Sequence, residues 1–212
     1  MNNVRLVFLL GLPALLQLAG CTATKYEPQY LDSPTPNFAV TPICARVDGQ
    51  LMHLDLEGHK ECMALVRASD WLTRTPLLVR EGEYYAVTVG AGQFWFDATE
   101  RIESSKGSPG HGIKNVALDW KRCKNSDWFA LIAATVSADD DKNTEEFQAQ
   151  DVGVENVMHI KHAGQLAMYP NDAHGLSIVP GMFYKNNHGQ IWVHVQRLAG
   201  VPAQPQLQAC TR

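Results

Sequence analysis

Gly82-Glu83-Tyr84-Tyr85-Ala86-Val87-Thr88-Val89-Gly90-Ala91-Gly92-Gln93-Phe94-Trp95-Phe96 is the stretch that decides the fold. Aromatic and β-branched residues crowd its first half, Gly90 and Gly92 interrupt it, and three aromatics resume it. Such side chains suit the pleated surface of a strand, and the glycines supply a turn between two of them. The same signals recur further on. Trp128 to Val136 is a nearly unbroken apolar run, as expected of a strand buried on both faces. Val152 to Ile160 and Gln165 to Tyr169 follow, with a turn at Ala163-Gly164. Near the end, Ile191, Val193 and Val195 alternate with Trp192, His194 and Gln196, the period of two that marks a strand. Short strands between Gly, Asn and Asp turns predict an all-β fold, an antiparallel β-sandwich. A helix is expected in part of Cys62 to Leu72, where Leu65, Ala68 and Leu72 share a face.

The amino terminus carries a different signal. Arg5 and the terminal amine are positive, Leu6 to Leu16 is almost wholly apolar, and Ala19-Gly20 leads directly into Cys21. This is the layout of an export leader, too short to span a bilayer core of about 30 Å comfortably. Residues 1–20 are therefore expected to be a signal peptide. Residues 22–37, with Pro28, Pro34 and Pro36 among polar residues, read as an extended tether. Residues 38–212 remain for a single β-sandwich domain.

Charge and cysteine usage narrow the partners. The net charge of −4 falls to −5 once the leader and its Arg5 are removed. That modest acidic excess argues against nucleic acid. Cys44, Cys62, Cys123 and Cys210 remain beside Cys21, an even number in an exported chain, and imply two disulfides with three possible pairings. Cys44–Cys62 with Cys123–Cys210 is the preferred set, the first closing a local loop and the second tying down the tail.

Most chemical motifs are missing. There is no G-x-S-x-G, H-E-x-x-H or P-loop, and nothing resembles a nucleophile with its base, so no catalytic residue is assigned and an enzyme is not expected. Gly107, Gly110 and Gly112 enrich a loop that reads as a flexible connection. Asp139, Asp141 and Asn143 open like an EF-hand, but Thr144 and Gln150 stand where its Gly and Glu belong. One constellation remains. Tyr169-Pro170-Asn171-Asp172 ends one strand, and Tyr184-Lys185-Asn186-Asn187-His188-Gly189 precedes the last. A carboxylate with neutral amide oxygens suits Ca²⁺, and a bound Ca²⁺ accepts sugar hydroxyls. The same residues also serve as ordinary turn formers.

Two resemblances sharpen these readings. Leu18-Ala19-Gly20-Cys21 resembles the lipobox of bacterial lipoproteins, which implies cleavage before Cys21, lipidation of its thiol and a permanent membrane anchor. Thr22, where an Asp would resemble an inner-membrane retention signal, favours the outer membrane. Over about residues 77–198 the chain resembles the PA-IL-like family of calcium-dependent galactose-binding lectins. Gly82 to Phe96 matches the family's early strand and A-G turn, and the Tyr169–Asp172 and Tyr184–Gly189 segments match its terminal signature. The resemblance implies side-chain calcium ligands at Asp172, Asn186 and Asn187, and backbone carbonyl ligands at Phe183 and Phe96. It departs from the family at Lys185, which replaces a glycine and brings a positive charge towards the cation, and in the longer loop from Asp172 to Asn186. The expected function is a lipid-anchored envelope protein with a lectin-like module that binds carbohydrate through Ca²⁺. The alternative is an accessory lipoprotein that uses the sandwich to grip another envelope protein.

Overall fold

Eleven strands and two short 3-10 turns, Leu118–Trp120 and Phe183–Asn186, make up the regular structure of the described residues: β1 (Glu61–Arg67), β2 (Thr73–Val79), β3 (Tyr84–Val89), β4 (Phe94–Asp97), β5 (Glu100–Glu103), β6 (Leu131–Val136), β7 (Glu146–Asp151), β8 (Glu155–His159), β9 (Gly164–Pro170), β10 (Asn187–His188) and β11 (Gln190–Leu198). The computed structural model describes residues 35, 40–103, 106–110, 114, 118–139, 145–153, 155–173, 183–200 and 209–211. Cys21, the leader and nearly all of the tether lie outside them, as do Gly112, Asp141 and Asn143. Leu31–Arg212 forms one compact unit.

Every strand pairing is antiparallel, in the orders β1-β11-β3-β8, β2-β9-β6-β7 and β10-β4-β5. The inward faces follow from the two-residue period. Ile191, Val193 and Val195 of β11, with Tyr85, Val87 and Val89 of β3, face Leu77, Leu131, Ala133, Leu166 and Met168 of the second sheet in one core. The second sheet is buried on its other face too. Ile132, Ala134 and Tyr169 join Cys123 and Ala149 in a smaller cluster, with Leu72 and Cys210 packed against it. All six residues of β6 are buried, as the apolar run from Trp128 to Val136 predicts, and all seven of β9 are buried too. At roughly 1.5–3 kcal/mol for each fully buried large aliphatic or aromatic side chain, this double burial makes β6 and β9 the centre of stability. Both expected disulfides are present, Cys44–Cys62 and Cys123–Cys210.

Three local expectations need correction. Cys62 to Leu72 does not contain a helix. Residues 61–67 form β1, because Cys62, Ala64 and Val66 alternate inward with Leu65 and Arg67 outward, and pairing with β11 satisfies the backbone. The strand expected from Trp128 begins only at Leu131, since Phe129 takes a positive φ of 61° and turns the chain. Nor is the glycine-rich loop merely flexible where it is described. Gly107 and Gly110 have φ of 71° and 83°, and a Cβ on Gly107 would lie 2.6 Å from the Trp128 carbonyl oxygen. These glycines permit close approach to the 128–130 turn.

Candidate functional site

Asp172 follows the last residue of β9 by two positions, and its placement is built from the chain beneath it. Asn171, fully buried, accepts from the Cys123 backbone N–H at 2.9 Å through Oδ1. Its Nδ2 donates to the carbonyls of Cys123, Ser126 and Asp127 at 2.8, 3.2 and 2.9 Å. Asn171 is thus fully engaged in fastening β9 to the 123–127 turn, and it leaves Asp172 to face the site. The Arg122 N–H donates to the Asp172 carbonyl, and Lys121 bridges to Ala173 on the far side. Cys123 is itself held by its disulfide to Cys210.

The second half of the signature is held from the opposite side. Phe183–Asn186 is a single 3-10 turn running straight into β10. Tyr184, buried, donates its hydroxyl to the Pro170 carbonyl at 2.9 Å. The Arg122 guanidinium stacks over Tyr169 at 3.4 Å and Trp71 at 4.0 Å from the ring centroids. It also contacts the Tyr184 hydroxyl and pairs with the buried Glu146 carboxylate. An arginine buried with its carboxylate partner and between two rings keeps its charge and fixes the rings in place. Both tyrosines of the terminal signature are therefore set by one side chain.

Asn187 Nδ2 donates to Asp172 Oδ2 at 2.9 Å, and the Ala173 N–H donates to Asp172 Oδ1 at 2.7 Å. β10 pairs with β4 so that Asn187 lies opposite Asp97, and Asn186 Nδ2 donates to Asp97 Oδ1 at 2.9 Å. The structure therefore brings Asp172, Asn186 and Asn187 together and adds Asp97, which sequence reasoning missed. Phe183 begins the turn beside them, its ring 6.4 Å from that of the half-exposed Trp120. Phe96 sits on β4 opposite His188, one residue before Asp97. Lys185 is exposed on the 3-10 turn. The ammonium on the acidic residues is that of Lys114, 2.7 Å from Asp97 Oδ2 and 2.8 Å from Glu100 Oε2.

The electrostatics follow from burial. Asp172 is only 6% exposed, and desolvation pushes its carboxyl up to about 6 despite the donors from Asn187 and Ala173. Asp97 raises it further and Lys114 opposes that effect. Asn187 is 2% exposed, and its Oδ1 has no hydrogen-bond donor among the described residues. A buried amide oxygen without a donor costs roughly 1–3 kcal/mol. Ala98, next to Asp97, and Phe129, whose N–H donates to the Asn171 carbonyl, both occupy the left-handed backbone region at φ of 51° and 61°. Backbone strain and an unmet acceptor thus gather at one place, a pattern of functional sites.

The donor chemistry fits a hard cation: a buried carboxylate, a second carboxylate on β4, and amide oxygens on a tight turn. No group of three or more His, Cys, Asp or Glu side chains among the described residues forms a ready-made metal cluster. Any cation here would depend on amide and carbonyl oxygens as much as on charge.

No family model matches the chain, and no curated protein matches it. Among solved structures it is similar to one described as "EclA N-terminal domain; PllA-like lectin", with 18% identity and a TM-score of 0.42, over 64% of this chain and 95% of that one.

Proposed function

We propose that this chain is a carbohydrate-binding module carried on a lipid anchor at Cys21 in the bacterial cell envelope, on the outer membrane. Asp172, Asn187 and Asn186 would hold Ca²⁺, together with Asp97 and the backbone carbonyls of Phe183 and Phe96. A resident Ca²⁺ supplies Lewis-acidic coordination to a pair of sugar hydroxyls, and the protein's part is to keep its oxygens in place. Asn171 and Arg122 do this, since they fix both halves of the signature without using the carboxylate oxygens of Asp172. The observation that carries the reading is the buried Asn187 Oδ1, which has no donor among the described residues, beside the buried Asp172 carboxylate. Titration calorimetry of residues 38–212 with Ca²⁺, then with a panel of monosaccharides with and without chelator, tests it. Sugar heat that vanishes with chelator is expected; sugar heat unaffected by chelator would remove the metal from the mechanism.

The second reading, an accessory lipoprotein gripping an envelope protein, has its own observation. Val40, Ile43, Val47 and Leu56 are large apolar side chains exposed at 75%, 49%, 58% and 44%. Ile43 and Val47 line a groove of about 540 Å³ with Pro42, Leu51, Met52 and His53, sharing no residue with the Asp172 site. Val47→Asp should abolish retention of a protein partner on this reading and leave Ca²⁺ binding unchanged.

A further inference from the structure

Lys114 is the charged group that distinguishes this site from a plain cluster of oxygen donors. Its side chain is 14% exposed, and its ammonium reaches both Asp97 and Glu100 at ion-pair distance. Those two carboxylates lie opposite one another on β4 and β5. Asp97 in turn accepts from Asn186 and lies opposite Asn187, which donates to Asp172. Glu100, Asp97 and Asp172 thereby form one connected acidic strip, with Lys114 at one end and the donorless Asn187 Oδ1 at the other. The ammonium of Lys114 also lies 5.3 Å from the centroid of the buried Phe129 ring.

We propose that Lys114 is a resident counter-cation of the site, which Ca²⁺ must displace from Asp97 and which thereby sets the affinity for metal. This rests on the reading of Asp172, Asn186 and Asn187 as cation ligands. The physical reason is Coulombic. A unit positive charge already paired with a candidate ligand both occupies that carboxylate and repels a divalent ion a few ångströms away, more strongly in this partly buried site than in bulk water. Solvent reaches the ion pair only in part, so salt screens it incompletely. Lys185, by contrast, is exposed and makes no ion pair among the described residues.

The test is Ca²⁺ titration calorimetry on the intact lipid-free domain and on Lys114→Met, Lys114→Gln and Lys114→Arg. Methionine keeps an unbranched apolar side chain of similar length, and Asp97 and Glu100 keep donors from Asn186 and Ser108, so the fold should survive. Thermal melts confirm it, and the glutamine variant serves if the methionine variant does not fold. Removing the charge should tighten Ca²⁺ binding by about tenfold or more, while arginine should stay near the wild type. A silent wild type with binding in the methionine or glutamine variant also supports the inference, while denying that the native site is loaded. Equal or weaker binding in both neutral variants, with a binding wild type, overturns the inference and leaves the proposed function standing. Silence in all four proteins overturns both.

Discussion

Asn187 Nδ2 donates to Asp172 Oδ2 at 2.9 Å, and this bond joins the two halves of the terminal signature across 15 residues of chain. It also orients the amide so that the opposite atom, Oδ1, is the buried acceptor without a donor among the described residues. A contact that looks like simple turn stabilisation therefore leaves one polar atom unsatisfied, and it surrounds a carboxylate that burial makes costly to ionise. Both features weaken the fold and both favour a cation.

Asp172→Asn should consequently stabilise the metal-free protein near neutral pH. The carboxyl is pushed above its ordinary 3.8 to about 6 in the folded state, so its ionised form is penalised there. That penalty is absent below about pH 4, grows between the two values and is complete above about pH 6. Removing it should raise stability at pH 7 by up to about 3 kcal/mol and change little near pH 3.5. Denaturant unfolding in chelator at the two pH values measures this. If the variant is less stable at pH 7, Asp172 acts as an ordinary structural carboxylate.

Glu83 predicts the opposite pH dependence. Burial alone would raise its pKa, but donors from Tyr85, the Arg80 backbone and His53 outweigh burial and hold it below its ordinary 4.5. Arg197 pairs with the same carboxylate at 2.8 Å and donates to the Leu54 carbonyl, so the cluster clips residues 53–54 to β3 and β11. A depressed folded pKa gives stability that is present above the unfolded value and is lost as pH falls through the folded one. Glu83→Gln should lower the melting temperature at neutral pH and flatten its acid limb. A limb as steep as the wild type's would assign acid unfolding to other carboxylates.

How legible these features are depends on whether the signal is local. β3, β6 and β11 show in the sequence because their period or apolar run is self-contained, as with Ile191, Val193 and Val195. β1 misleads because Leu65, Ala68 and Leu72 fall at helical spacing while Cys62, Ala64 and Val66 keep a strand period, and only pairing with β11 decides between them. β5, Glu-Arg-Ile-Glu, buries Ile102 alone and carries no pattern long enough to read. Asp172, Asn186 and Asn187 are recoverable as a motif. Asp97 and Lys114 are not, since the first reaches the site through the pairing of β10 with β4 and the second from a glycine-rich loop distant in sequence.

Gly107 offers a steric test of that loop. Its positive φ and the closeness of the Trp128 carbonyl and Ala130 N–H leave no room for a side chain. Gly107→Ala must both strain the backbone and push away the 128–130 turn, which carries Phe129 and its bond to Asn171. A loss of about 2–4 kcal/mol is expected. Urea melts would show it, and a loss under about 0.5 kcal/mol would mean that the loop yields freely.

The two disulfides should differ in effect, and the difference bears on the site. Cys123–Cys210 spans 87 residues and Cys44–Cys62 spans 18. On loop-closure entropy alone, opening the longer costs about 4–5 kcal/mol and the shorter about 3 kcal/mol. The longer bridge has a second consequence, because Cys123 presents its N–H and carbonyl to Asn171, the residue preceding Asp172. Cys44–Cys62 instead joins the 42–44 segment to β1, and among the described residues neither cysteine shares a hydrogen bond with the signature. Cys123→Ser with Cys210→Ser should therefore lower both stability and Ca²⁺ affinity, whereas Cys44→Ser with Cys62→Ser should lower stability alone. Calorimetry at a temperature where both double variants remain folded separates the effects. Equal Ca²⁺ affinities in the two variants would show that Asn171 holds its place without the covalent tie, leaving Arg122 and Tyr184 as the anchors of the site.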